Sequence, residues 1–300
     1  MRNLLKGALI TSGVLLVAGI ILCFSGKALG GKLEWGYTVR NGNVKNYSGI
    51  MVHGEETFDG FDTIKTDTHS FNVYLQPGEE YKVEYYVKED YLPTIKVENN
   101  TLVITQKETG MVGFFTTELT EEAYVTITVP RDVEQEYQID MSVSSDKIEL
   151  KDLHVNGKIR ITSGDLVIAN VTAKDIALSM TSGDTKITDM VAETLDVDLT
   201  SGNVSMKNVV ANKIIAKMSS GTVEGTNIQA SDIYNKMTSG DAEWNLVGSR
   251  KDYNWNFKKT SGDITLGDEK IKDDCTMENG AEANFGASLT SGDLEITFVE

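Results

Sequence analysis

The side chains best placed to do chemistry in this sequence each follow a repeated glycine. Asp165, Asp184, Asn203, Thr222, Asp241, Asp263 and Asp293 come directly after glycines at 164, 183, 202, 221, 240, 262 and 292. Oxygen ligands at regular spacing can hold calcium. Two features weigh against it: Asn203 and Thr222 break the acidic run, and no position carries the closely set acidic residues of a dedicated calcium loop. Asp and Asn also bond their own backbone at turns. The reading is that these residues shape corners, with no catalytic, cofactor-binding or metal residue assigned and no cofactor.

Other chemistries find less support. His53, His69 and His154 are the only histidines, and none lies in a recognisable nucleophile, metal-ligand or phosphate-loop motif. Polysaccharide lyases built on β-helices combine carboxylates with a base, yet the basic residues here stand singly, as at Lys186, Lys207 and Lys217. The expectation is therefore not an enzyme, with a carbohydrate-active β-helix enzyme as the third reading. The net charge is −17, although residues 1–31 contain only basic charges, at Arg2, Lys6 and Lys27. Such an acidic remainder repels nucleic acid and anionic headgroups, so no nucleic-acid partner is expected.

The elements that position the corner residues follow from the spacing. The first five glycines lie 19 residues apart, the next interval is 22 and the last 30, which marks a structural repeat. Apolar residues alternate on both sides of each glycine, as in Leu195, Val197 and Leu199 before Gly202 and Val204 and Met206 after it. Alternation means strands with one buried face. Because the inward parity changes at the glycine, the Ser-Gly pair must turn a corner. A second corner is expected at Asn170, Asp189, Asn208 and Asn227, where Asn and Asp tolerate left-handed backbone angles.

Two all-β architectures fit. In a repeat β-solenoid, a right-handed single-stranded β-helix, each 19-residue unit is one coil stacked on the next. In a β-meander each Ser-Gly is a hairpin loop. Fixed spacing favours the solenoid, because hairpins need no constant distance between turns. One coil alone cannot bury enough apolar surface to offset its ordering entropy, so the units must come as an array. Residues 139–300 are read as regular solenoid repeats and 57–138 as a degenerate N-terminal part of the same β domain. A weak copy is expected at 64–75 and further strands at 81–87, 94–106 and 123–130. Trp244, Tyr253, Trp255 and Phe257 are expected in the core, and Met111 to Phe115 in a loop.

Residues 8–24 contain no charge and are flanked by Arg2, Lys6, Lys27 and Lys32. The segment is read as a transmembrane anchor: 1–31 forms a cytoplasmic stub and transmembrane helix, and 32–56 a linker. A cleaved signal peptide is the alternative, with Gly26 and Ala28 as its small residues. Cys23 does not fit a lipoprotein, since Leu22 stands where a small residue belongs. Beyond residue 31 only Cys275 remains, which suits an exported domain without disulfides. The expected location is the cell membrane, single-pass, with the C-terminal domain extracytoplasmic.

The Phe58-Asp59-Gly60-Phe61-Asp62-Thr63-Ile64 opening, the strand ending at Val129-Pro130 and the Thr-Ser-Gly-Asp ladder from 162–165 onward together resemble the putative-adhesin family of unknown function. The likeness covers about residues 57–300. It implies a β-helix tethered by an N-terminal helix in a bacterial cell envelope. The departures are Ser219 and Thr222, the long interval between Gly262 and Gly292, and Asp146 in place of a glycine. The functional expectation is an adhesin-like or envelope-binding module whose partners are the membrane, through residues 8–24, and an envelope polymer or another membrane protein. An accessory or sensor protein of an envelope stress response is the alternative.

Overall fold

The computed structural model describes residues 50–106, 122–131 and 135–299, the backbone of 37–40, 43–46 and 110–112, and the single positions Gly19 and Leu22. The apolar segment 8–24 otherwise lies outside the described residues. No helix among the described residues is long and apolar enough to cross a membrane. The chain divides into two compact units. In the smaller, Tyr37–Arg40 pairs antiparallel with Asn43–Asn46 on one side and Gly110–Val112 on the other. Part of the span read as linker is therefore strand. Met111 and Val112 are strand too, rather than loop, while 113–115 lie outside the described residues.

The larger unit is a stack of parallel coils. Ile159 pairs with Leu178, and Leu178 with Val197, each 19 residues on. Neighbours are parallel and one repeat apart, which excludes the meander, whose neighbours would run antiparallel. The inward columns are buried as the alternation requires: Leu166, Thr185, Val204, Val223, Ala242, Leu294 and Ile264 form one. A further buried column, Ala173, Ala192, Ala211 and Ala230, escaped the sequence pattern because alanine gives a weak hydrophobic signal. The aromatic residues expected in the core are there, with Trp255 packed on Phe257 at 5.8 Å and on Phe285 at 5.5 Å.

The coils do not follow chain order at the ends, which corrects the expectation of simple sequential stacking. Asn235 pairs with Ala287, and Ala287 with Phe257. On the other side of the corner Ala242 pairs with Leu294, and Leu294 with Ile264. The C-terminal coil is thus inserted between the coil of Gly240 and that of Gly262. The long interval before Gly292 is the length needed to return, and on the way it caps the outermost coil: Cys275–Met277 and Glu269–Ile271 pair antiparallel with Tyr253–Lys259 and Ile264–Leu266.

The other end repeats this arrangement. Residues 64–75 do form a coil, stacked on 139–150 through Ile64 with Ile139 and Val73 with Ile148. Beyond it lie Thr101–Thr105 and Tyr124–Pro130, reached by the chain before it returns to residue 136. Antiparallel strands Thr94–Glu98 and Tyr81–Lys88 flank these in turn. Each outermost coil therefore carries antiparallel partners where a bare solenoid end would offer an open edge for another chain. Lys259, on an inward column by sequence, is half-buried on the last coil and donates from Nζ to the Gly262 carbonyl at 3.1 Å.

Candidate functional site

The glycine corner is set by coil-to-coil contact. Gly183 has φ +121°, and a Cβ there would stand 1.8 Å from the Gly164 carbonyl oxygen. The same clash joins Gly292 to Gly240 and Gly262 to Gly292, at 1.7 and 1.9 Å, so the glycine column itself records the inserted coil. Positive φ and close backbone approach both select glycine.

The adjoining Asp column bonds along the stack. Asp165 accepts from the Asp184 backbone N–H at 3.2 Å, and Asp184 from the Asn203 amide at 2.9 Å. Further along, Asp241 accepts from the Asp293 N–H and Asp293 from the Asp263 N–H, at 3.1 and 2.8 Å. At the end of the row the Lys270 ammonium lies 2.9 Å from Asp263 and, by this hydrogen bond, holds its carboxyl below the ordinary range. No three His, Cys, Asp or Glu side chains among the described residues could together hold a metal ion. The oxygens facing the next coil instead accept amide protons from it.

The second corner behaves as read. Asn170, Asp189, Asn208 and Asn227 all have φ between +52° and +55°, and their side chains stack: Asn208 donates to Asp189 at 2.6 Å and Asn227 to Asn208 at 2.8 Å. Asp152 extends the column, with φ +55° and its carboxylate accepting a hydrogen bond from the Asn170 side-chain amide at 2.7 Å.

Two histidines have partners that sequence reasoning did not find, because both partners lie far away along the chain. His69 Nδ1 lies 2.6 Å from Ser144 Oγ, and Gln106 accepts from the His69 N–H at 2.8 Å. His53 lies 3.3 Å from Glu84, whose carboxyl this hydrogen bond holds below its ordinary range. His154 lines a separate hollow beside the second corner. Burial pushes the Cys275 thiol up, which disfavours its reactive thiolate.

The outward face before the glycine column carries two hollows. One, of about 410 Å³, is lined by Lys213, Asp232, Tyr234, Asn256, Thr276 and Gly286 among others. The second, of about 560 Å³, runs from Gln138 past Ala177 to Thr194 and Asp196. Thr194 and Lys213 occupy the same place one repeat apart, so the hollows lie end to end along the stack. The stretch of 22 residues after Gly240 and the inserted coil together shape the first hollow: Tyr234 pairs with Gly286, and Gly286 with Asn256. No local motif announced this face, since its residues meet only through coil order.

A β-solenoid whose glycine and Asp columns stack in this way defines a repeat-scaffold class of protein. A family model described as Toastrack DUF4097 matches residues 61–298, and the chain belongs to that family. It is also similar to solved structures described as a putative adhesin from Bacteroides fragilis, with 14% identity over 83% of this chain and 98% of that one and a TM-score of 0.38, and a putative adhesin from Parabacteroides distasonis, with 11% identity over 84% and 98% and a TM-score of 0.38. A structure described as a putative lipid binding protein from Parabacteroides distasonis shows 12% identity over 85% and 98% and a TM-score of 0.32. No curated protein matches the chain.

Proposed function

We propose that this chain is a membrane-anchored, extracytoplasmic binding module that attaches to a cell-envelope component through the outward face of its solenoid, without turning that component over. The observation that carries this reading is the pair of hollows lying end to end along one face. Their walls belong to a rigid stack whose coils are fixed by backbone pairing, so a ligand meets a pre-formed surface and little ordering cost. The uncharged segment 8–24 between basic flanks supports anchoring. The acidic net charge disfavours nucleic acid.

The test is sedimentation of the full chain in detergent with purified bacterial envelope fractions, alongside alkaline carbonate washing and external protease treatment of expressing cells. Saturable co-sedimentation, retention in washed membranes and protease removal of the solenoid are expected. Release of soluble sugar fragments on incubation would contradict a purely binding role, and absence of co-sedimentation would contradict envelope attachment.

A further inference from the structure

The geometry of the outward groove points to an extended, neutral polysaccharide as its ligand, with Tyr234 as the stacking platform; we propose this as a deepening of the envelope-binding reading, on which it rests. Tyr234 is 39% exposed on a face where its neighbours are mostly polar. Its register partner toward the end of the stack is Gly286, and a Cβ there would stand 3.3 Å from Tyr234 Cδ2. The phenol ring therefore leans along the sheet over the glycine instead of standing away from it. A ring in that attitude offers an aromatic face, which attracts the slightly positive C–H face of a pyranose by the same quadrupole that governs aromatic pairing.

Hydrogen-bonding groups line the same hollow as the ring. Asp232 and Asn284 are register partners one step before Tyr234 and Gly286, and Asn256 follows Gly286 in the next coil. Thr276 lies beside Asn256 on the capping strand. Asn284 accepts from Asn254 at 3.2 Å through Oδ1, which leaves its amide protons for a ligand. The side chains of Asp232, Asn256 and Thr276 have no hydrogen-bond partner among the described residues. Their side chains make no bond between coils, and a multiply hydroxylated ligand would use all of them.

Charge and topology narrow the class. The protein carries a net charge of −17 and the groove sets Asp232 and Glu278 against Lys213, so a polyanion would be repelled. The strands under the groove are paired on both sides, so a peptide finds no edge to extend. The hollows together cross coil after coil at a spacing of about 4.8 Å, close to the advance of one residue in an extended, equatorially linked pyranose chain. A linear glycan running parallel to the stack would thus pass about one sugar over each coil, with Tyr234 under one of them.

The experiment is titration calorimetry of the full chain in detergent with three probes: a β-1,4-linked N-acetylglucosamine hexamer, a β-1,4-linked glucose hexamer and polyglycerol phosphate. Saturable binding of at least one hexamer is expected, weakened about tenfold or more by Tyr234→Ala and by no more than about threefold by Tyr234→Phe. Asn256→Ala, which removes no packing, is expected to weaken it by about threefold or more and covers the case in which Tyr234→Ala disturbs the fold. The proposal is overturned if neither hexamer binds at millimolar concentration, if Tyr234→Ala and Asn256→Ala bind as the parent does, or if polyglycerol phosphate alone binds. Envelope co-sedimentation that persists unchanged in Tyr234→Ala would remove the groove from the account while leaving envelope attachment standing.

Discussion

At the residue scale, each corner position is selected by what the next coil places against it. Gly183 faces the Gly164 carbonyl at a distance no Cβ could keep. Gly183→Ala should therefore lower stability by about 2 kcal/mol or more. Asp184→Asn should be neutral to within about 0.5 kcal/mol, because an Asn oxygen can still accept from Asn203. Thermal unfolding of the two variants checks both, and a costly Asp184→Asn would mean that the column depends on its charge. Asp146 replaces the ladder glycine one coil earlier, and one of its carboxyl oxygens is buried without a partner among the described residues. Burial pushes its carboxyl up. A raised carboxyl favours the fold when protonated and penalises it as pH rises through the folded value. Asp146→Asn should consequently raise Tm at neutral pH, and the gain should vanish in acid below the ordinary aspartate range. A gain that persists unchanged at low pH would contradict this cause.

At the scale of the element, the coil is defined by its inward columns. Leu199 is 1% exposed inside the stack, whereas Lys207 points outward. Leu199→Asp should collapse the cooperative transition or lower Tm steeply, since an unpaired carboxylate would be buried. Lys207→Glu should leave Tm nearly unchanged, and similar melting of the two variants would contradict the register. This much was legible in the sequence, because alternation around a constant spacing fixes both the strands and their faces. The left-handed angles at Asn170, Asp189, Asn208 and Asn227 were legible too, from residue type alone. Other features were not. The register does place Asn235 on an inward column, where it is buried, but nothing in the periodicity says that its amide has no partner there among the described residues. The contact of His69 with Ser144 and the setting of Tyr234 beside Gly286 join residues far apart in the chain, where local patterning carries no information.

At the scale of the whole molecule, the decisive feature is that both ends are threaded out of chain order. Insertion of the C-terminal coil ties the last strands into the interior of the stack, and it alone brings Gly286 between Tyr234 and Asn256, creating the groove proposed to bind glycan. Sequence spacing signalled that something changed after Gly240, but a longer interval is equally compatible with an extended loop on a sequential stack. The choice between them is made by pairing energy between distant segments, which a repeat length does not encode. The most direct test is disulfide trapping in a chain whose Cys23 and Cys275 are replaced by serine, with cysteine pairs introduced at Asp241 and Asp293 or at Asp241 and Asp263. Adjacent parallel coils bring Cα atoms to about 4.8 Å, within disulfide range, whereas coils two steps apart are at about twice that distance and beyond it. Rapid oxidation of the 241–293 pair without cross-linking of 241–263 is the predicted result, and preferential cross-linking of 241–263 would contradict the inserted coil and the groove built on it.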